Sequence, residues 1–330
     1  MKKKHTLIFL LLALAMVFST VSGAMAANVK VALDCPPDLD KCGTYIWSYY
    51  FSEHLKANNM PVDLYPQDAL GGEDEKLDQV SQGLLEVANC AMAQVGQVDQ
   101  IVMGYHLPYI FDDVDHMDRV LADADLLKKI NDKTSKKGVR ILAIVPVGAF
   151  SGLANTKKEI KVPDDLKGLR IRALDKTQAK YIETWGASTV IIPWAEIYSA
   201  LQTGVADGYL NPAIVPVMFK HTEVLKYFSD IQYSAPLRVI ICSEEWYQGL
   251  GDNERKIVDE GSAKGLAANK EWLAKVIKSG KDSLRETGVQ VYENTPEERA
   301  EFAKLVKPLY AEILPQDVVD LFMEAINKAR

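Results

Sequence analysis

The sequence predicts an α/β protein of two domains, each with a mainly parallel sheet flanked by helices. Short strand patterns alternate with amphipathic helix patterns across residues 164–212, which is typical of parallel sheets. The chain has 330 residues, more than one average domain. A helical pattern from Asp252 to Gly288 would span roughly 55 Å at about 1.5 Å per residue, enough to cross both domains.

The amino terminus has the pattern of a secretory signal peptide. Three lysines at positions 2–4 precede an apolar run from Leu7 to Val21 and a small-x-small site, Ala24-Met25-Ala26. The run is short for a membrane span, so we expect cleavage after Ala26 and export, with an uncleaved anchor as the alternative. The net charge of −7 would become about −10 without the lysines, which argues against a nucleic-acid partner.

The first domain is expected to alternate strands and helices and to end where Pro146 and Gly148 stop a β-branched strand. Thr44 is the expected cap of the first helix. The patterns give strands at 29–34, 62–65, 87–92 and 139–145, helices at 44–58 and 73–84, and a loop at 93–96.

An acidic cluster with one histidine permits two interpretations. It could ligate a metal, or its negative charge could stabilise the start of the helix that follows. We favour the helix start, because apolar residues follow at helical spacing. The cluster comprises Asp112, Asp113, Asp115, His116 and Asp118.

The second domain follows the same alternation. A strand at 239–242 then returns to the first domain, and Thr295-Pro296-Glu297-Glu298 is a capping box before two closing helices. Gly261, Gly265 and Gly280 weaken the long helix by about 1 kcal/mol each relative to alanine. The expected elements are strands ending at 172 and at 189–192, 206–210 and 289–292, with helices at 178–185 and 194–203.

Arg172, Trp194 and Asn211 each follow or end a strand of the expected parallel sheet. Ligands of such sheets bind at the carboxyl ends of the strands. A guanidinium there can hold a carboxylate through two hydrogen bonds. Strand alternation puts Arg170 on the same face as Arg172, so the pattern does not separate the two arginines.

Four motifs in this order resemble the solute-binding subunits of TRAP (tripartite ATP-independent periplasmic) transporters. The motifs are Leu70-Gly71-Gly72-Glu73, residues 165–172, residues 196–204, and Asp207-Gly208 with Asn211-Pro212. The resemblance implies a two-lobed periplasmic binding protein with a long helix linking both lobes. It also implies a monomer without a cofactor that delivers a small organic acid to integral-membrane permease subunits.

The expected first lobe comprises residues 27–148 and about 238–277, and the second comprises residues 149–237 and about 278–330. By resemblance, Arg172 binds the ligand carboxylate, Trp194 stacks on the ligand and Asn211 faces it. The alternatives are core packing for Trp194 and a turn role for Asn211. The remaining expected contacts are Asp34, Gln94, Tyr209 and Gln232 or Tyr233.

Cys35 and Cys42 lie in one Pro-rich loop, and we expect a disulfide between them, since export permits oxidation. Cys90 and Cys242 fall in apolar runs and are expected to be buried. No cysteine or histidine pair has metal-ligand spacing, so no metal is expected.

One departure from the family pattern bears on the ligand. Sugar-acid binders of the family often carry a second arginine where this chain has Gly152. One positive group and a negative Asp34 favour a monocarboxylate with an aromatic or amino-acid-like body, because a second buried carboxylate would be unpaired. A C4-dicarboxylate or a sugar acid is the alternative.

Two other functional classes remain as rivals: a periplasmic enzyme and a ligand sensor. The enzyme is disfavoured, since no Gly-x-Ser-x-Gly elbow, P-loop or dinucleotide-binding turn is present in the sequence. The sequence does not separate a transporter subunit from a sensor by its residues alone.

Overall fold

Two separate sheets organise residues 28–330, the part of the chain described by a computed structural model of the protein. The expected signal peptide lies outside the described residues. The sheets and their flanking helices confirm the α/β fold. Below, each sheet with its helices is called a lobe. No helix among residues 28–330 has the length and apolarity needed to cross a membrane.

The described elements follow the predicted alternation, and two further strands, β5 and β9 below, were not predicted. The strands are β1 Val29–Ala32, β2 Val62–Tyr65, β3 Val87–Ala91, β4 Val139–Pro146, β5 Gly152–Asn155, β6 Arg170–Ala173, β7 Ser188–Ile191, β8 Gly208–Asn211, β9 Tyr227–Ser229, β10 Leu237–Ser243 and β11 Gln290–Tyr292. The helices are α1 Gly43–Ala57, α2 Glu73–Ser81, α3 Met92–Val98, α4 Val114–Leu121, α5 Ala124–Thr134, α6 Lys176–Thr184, α7 Ile197–Gln202, α8 Ile214–Met218, α9 Glu244–Gly249, α10 Asp252–Glu286, α11 Pro296–Val306, α12 Tyr310–Ile313 and α13 Gln316–Ala329.

Each sheet contains one strand that runs antiparallel to both of its neighbours. The first sheet has the order β2-β1-β3-β10-β4, and the second has β11-β9-β5-β8-β6-β7. β10 is antiparallel to β3 and β4, and β5 is antiparallel to β8 and β9. These two strands follow short crossings between the sheets instead of the helical crossovers that parallel neighbours require.

Two chain segments, residues 147–151 and 230–236, connect the sheets, and we call them the hinge segments. They are hydrogen-bonded to each other: Ser151 donates to the Ser234 carbonyl at 2.9 Å, and Tyr233 donates to the Ser151 carbonyl at 2.8 Å. The two hinge segments therefore connect the lobes as a hydrogen-bonded pair, and the long helix α10 forms a third connection beside them.

Helix α10 has 35 residues and links both lobes, as predicted. Two of its glycines permit close packing on α1. A Cβ added at Gly261 would lie 2.8 Å from Leu55, and one at Gly265 would lie 2.7 Å from the Trp47 ring. The helix propensity lost at these positions is therefore compensated by the close approach of the two helices.

Three local predictions for the first lobe are wrong. Residues 93–96 belong to α3 instead of a loop, because Met92 and Val95 bury one helical face. Helix α1 starts at Gly43, so Thr44 is not its cap and instead donates to Asp34 Oδ1 at 2.6 Å. Helix α2 ends at Ser81, before Gly83 adopts a left-handed φ of 74°.

The acidic cluster forms a helix start, as favoured. Asp113 caps α4 by accepting from the His116 backbone at 2.7 Å. The His116 ring is buried, with Nε2 3.0 Å from the Ile326 carbonyl. The cluster therefore stabilises α4 and its contact with α13.

The closing helix α13 packs on the first lobe, whereas we expected it in the second. Its apolar face joins the core of the first lobe, and Phe322 meets the Tyr105 ring edge-on at 4.8 Å. Helix α11 packs on the second lobe through Phe302 and begins with the predicted capping box at Thr295. The carboxyl-terminal segment therefore spans both lobes. The apolar face of the amphipathic helix α13 packs on the first lobe after the chain has crossed back from α11 in the second.

Candidate functional site

Arg172 and Arg170, which the sequence pattern could not separate, have different environments. Arg170 is exposed and donates to the Gly204 carbonyl at 2.6 Å. Arg172 lies near the carboxyl end of β6 and is only 4% exposed. Its Nε donates to the Ile192 carbonyl at 2.9 Å. Arg170 therefore fixes a loop at the surface, and Arg172 is the buried cation of the second sheet.

Arg172 has no ion-pair partner in residues 28–330. Burial lowers the pKa of Arg172 to about 10, and the more distant charge of Asp175 only partly opposes this. The guanidinium is therefore still charged at neutral pH. A buried charge without a partner costs several kcal/mol, and an anion bound beside it would offset that cost.

The Trp194 indole lies beside this guanidinium. Its ring centroid is 6.0 Å from Arg172 Cζ. The rings of Tyr209 and Phe219 meet it edge-on at 6.1 and 4.9 Å. Because these rings fix its orientation and its own surface is only half-buried, Trp194 can offer a flat apolar wall next to the charge.

Tyr209 supports Trp194 and has no surface of its own for a ligand, which corrects the expected contact. Its side chain is 0% exposed. Its hydroxyl lies 2.9 Å from His221 Nδ1, and burial lowers the pKa of His221 to about 4. The imidazole is therefore neutral at physiological pH and can accept a hydrogen bond from the tyrosine hydroxyl.

Asn211 ends β8 at the same sheet edge as Arg172. Tyr209 pairs with Arg172, so Asn211, two residues further, lies on the same face. Asn211 also pairs with Gly152, where a Cβ would lie 2.7 Å from the Ser229 carbonyl oxygen. The position of the family's second arginine therefore has no room for a side chain in this protein.

Asp34 lies two residues after the end of β1, at the edge of the other sheet, but it is not free to accept a ligand N–H as we expected. Its Oδ2 lies 2.6 Å from Arg238 Nε, and its Oδ1 accepts from Thr44 at 2.6 Å and from Asn89 at 3.4 Å. Burial alone would raise the pKa of Asp34, but Arg238 and these hydrogen bonds hold it below its ordinary value.

Arg238 is the residue that the sequence reasoning missed. It lies near the start of β10, opposite Ala91, and its Nη2 donates to Glu73 Oε1 at 2.5 Å. Lys76 adds a second positive charge 3.9 Å from the same oxygen. Arg238 stands inside an apolar strand pattern, and a charge at that position was the one available signal. We call Asp34, Glu73, Lys76 and Arg238 the first-lobe ion-pair cluster.

Cys35 and Cys42 form a disulfide in the loop that follows Asp34. Both sulfur atoms lie within 3.3 Å of the Thr44 hydroxyl. The three groups Asp34, Cys35 and Cys42 are close enough to resemble a metal site. Because the two sulfur atoms are bonded to each other, they are not thiolate ligands, and the loop instead braces Thr44 and Asp34.

The other expected contacts line two cavities and do not surround Arg172. Gln94 and Tyr233 line a cavity of about 450 Å³ between α3 and the start of α6. Gln232 lines a cavity of about 220 Å³ beside α10 and the hinge segments. Arg172, Trp194 and Asn211 therefore group at one sheet edge and Asp34 at another. The two cavities adjoin the first group, since their linings include Leu174, just after β6, and Pro212, just after β8.

Comparisons with known proteins agree with this architecture. The family model described as "bacterial extracellular solute-binding protein, family 7" matches residues 47–317. The C4-dicarboxylate-binding periplasmic protein DctP of Rhodobacter capsulatus is 25% identical, over 91% of this chain and 90% of its own length. The ectoine-binding periplasmic protein TeaA of Halomonas elongata is 25% identical, over 84% of this chain and 85% of its own.

A solved structure has the same fold. It is a TRAP periplasmic solute-binding protein from Anaerococcus prevotii with bound D-glucuronate. It is 24% identical and superposes with a TM-score of 0.82, covering 91% of this chain and 97% of the other.

Proposed function

Because the chain belongs to family 7 of the bacterial extracellular solute-binding proteins, the solute-binding subunits of TRAP transporters, we propose that Arg172 anchors the carboxylate of its organic-acid ligand. The family is periplasmic, and its members bind solutes and work with membrane permease components. The observation that supports the role of Arg172 most strongly is its burial without an ion-pair partner among the described residues. A ligand carboxylate would supply the missing negative charge.

The ligand class that fits best is a sugar acid or a C4 acid, which replaces the expected aromatic or amino-acid-like monocarboxylate. Of the three relatives described above, two bind a C4-dicarboxylate and D-glucuronate by name, and the third binds ectoine. Our preference rested on an unpaired Asp34, and Arg238 neutralises that carboxylate. The site therefore has no free negative group to receive a ligand ammonium, which removes the reason for expecting an amino-acid-like body.

Capture would proceed by closure of the two lobes. The hinge segments can bend without breaking either sheet, since they lie outside the strands. A ligand that contacts both sheet edges would favour the closed arrangement, and the closed form would then present the solute to the permease.

The test compares two arginines of one strand. Arg172→Gln is expected to weaken binding of D-glucuronate, D-erythronate or succinate by about ten- to hundredfold, the equivalent of about 1.5–3 kcal/mol for a charged hydrogen bond. Arg170→Gln, its matched control, is expected to bind like the unchanged protein. Calorimetry provides the measurement. Failure of the protein to bind any of these acids, or an Arg172→Gln protein with unchanged affinity, would contradict the proposal.

A further inference from the structure

Arg238 occupies the edge of the first sheet that adjoins the hinge. Its neighbour Leu237 pairs with Pro146, the last residue of β4. The hinge segment that follows Pro146 ends at Gly152, which pairs with Asn211. Arg238 and Asn211 therefore stand at opposite ends of one short connection, on the two sheet edges between which a ligand of a two-lobed binding protein lies.

The guanidinium of Arg238 keeps hydrogen-bonding capacity at this edge. Its Nε and Nη2 face Asp34 and Glu73 at 2.6 and 2.5 Å. Within residues 28–330, Nη1 has no hydrogen-bond partner, and the side chain is 21% exposed. The same lobe contains a comparable pair, Arg140 with Glu244 at 2.6 Å, near the start of β4 and so at the opposite edge of the sheet.

The surroundings of these two arginines differ. The Tyr247 ring covers Arg140 at 4.4 Å, whereas no aromatic ring among the described residues lies over Arg238. Asp34 and Glu73, the partners of Arg238, come from the loop just after β1 and from the start of α2, at the edge that adjoins the hinge segments. Arg238 and its partners therefore lie beside the hinge segments, whereas Arg140 and Glu244 lie at the opposite end of the same strands.

The charges of the first-lobe ion-pair cluster cancel, since two carboxylates face one guanidinium and one ammonium. A second ligand carboxylate would meet a guanidinium that is already neutralised, and a ligand ammonium would meet carboxylates that are already paired. A hydroxyl group both donates and accepts, so it can bond to a carboxylate and a guanidinium at once. The cluster therefore suits a hydroxylated ligand chain.

We propose that Arg238, held in place by Asp34 and assisted by the more exposed Glu73, binds the hydroxyl groups of the ligand and is a specificity-determining residue of the first lobe. This inference rests on the proposed function, in which Arg172 holds the carboxylate at the other sheet edge. The two arginines then divide the ligand between them: one binds its acid group and the other its hydroxylated body.

The experiment measures a selectivity ratio. The probes are D-erythronate and butyrate, which share a four-carbon monocarboxylate chain and differ in hydroxyl groups, with D-glucuronate as a larger hydroxylated acid. The unchanged protein is expected to prefer the hydroxylated acids over butyrate. Arg238→Gln is expected to reduce that preference by about tenfold, or about 1.4 kcal/mol. Arg140→Gln, the matched control, is expected to leave it within about twofold.

A variant that keeps the charge balance guards against misfolding. Asp34→Asn combined with Arg238→Gln removes one charge of each sign, and it is expected to show the same loss of preference. A loss of fold does not change the ratio of two affinities in the molecules that remain folded, so the ratio separates recognition from stability.

The outcomes distinguish the two proposals. If Arg172→Gln weakens binding as expected but both Arg238 variants keep the preference for hydroxylated acids, the role of Arg238 is wrong and the proposed function stands. A protein with no preference for hydroxylated acids over butyrate also overturns the role of Arg238. If no probe binds, or if binding does not depend on Arg172, the proposed function itself fails.

Discussion

The two sheet edges of this protein each present a buried or half-buried arginine, and the two arginines differ in what surrounds them. Arg172 in the second lobe donates to the backbone carbonyl of Ile192 and has no carboxylate within ion-pair distance among the described residues. Arg238 in the first lobe touches Asp34 and Glu73. A cation without a partner is suited to anchor an anion, whereas a neutralised cluster is suited to choose among uncharged groups.

The largest expected difference between the two edges is in the stability of the ligand-free protein. Arg238→Gln leaves two carboxylates without their guanidinium and is expected to lower the free energy of unfolding by about 3 kcal/mol. Arg172→Met removes a charge that pays a desolvation cost, so it is expected to change that free energy by less than about 1 kcal/mol. Urea denaturation without ligand measures both. An equal loss of unfolding free energy in the two variants would show that the charge of Arg172 also stabilises the fold.

A second, smaller difference lies in the pH dependence of the two lobes. Burial depresses the pKa of His221 from 6.5 to about 4, so the unfolded chain binds a proton in this range that the folded protein does not. Stability is therefore expected to fall by about 2 kcal/mol as the pH drops from about 6.5 to about 4. His221→Gln is expected to flatten this part of the stability profile.

The first lobe responds to pH in a lower range. Asp34 has a depressed pKa, so its contribution is complete above its unfolded value of about 3.9 and is lost only as the pH falls through the lower folded value. Asp34→Asn is thus expected to leave the pH dependence of the free energy of unfolding unchanged between about pH 4 and pH 6.5. A profile that flattens with Asp34→Asn but not with His221→Gln would reverse the assignment.

The smallest predicted contrast concerns the glycines of α10. Gly265→Ala places a Cβ 2.7 Å from the Trp47 ring and is expected to destabilise the protein. Gly280→Ala meets its nearest atoms at 3.8 Å, so the better helix propensity of alanine is expected to stabilise by up to about 1 kcal/mol. Thermal denaturation compares the two variants. Stabilisation by Gly265→Ala would show that α1 and α10 can separate without cost.

The sequence was most informative where the position of a side chain follows directly from the order of the strands. Arg172, Trp194 and Asn211 group at one edge because parallel strands end together, and this needs only the pattern of β6, β7 and β8. The long helix and the capping box at Thr295 were equally local signals. Local pattern was therefore enough to place these three residues and the two helix signals, but not to separate Arg172 from Arg170.

The parts that sequence reasoning missed depend on contacts between distant residues. Arg238 meets Asp34 only because β10 returns between β3 and β4, so the neutralisation of that carboxylate is a property of the topology. In the same way, α13 packs on Tyr105 after the chain has crossed both lobes. The sequence-based preference for an aromatic or amino-acid-like ligand depended on a free Asp34, and tertiary neighbours neutralise that carboxylate.

The most direct test of the central claim is a crystal structure of the protein bound to the acid that binds most tightly among D-glucuronate, D-erythronate and succinate. The account predicts a ligand carboxylate oxygen within about 3 Å of an Arg172 Nη atom, with the ligand body between Trp194 and Arg238. A carboxylate held by other residues, with Arg172 facing only protein atoms, would contradict it.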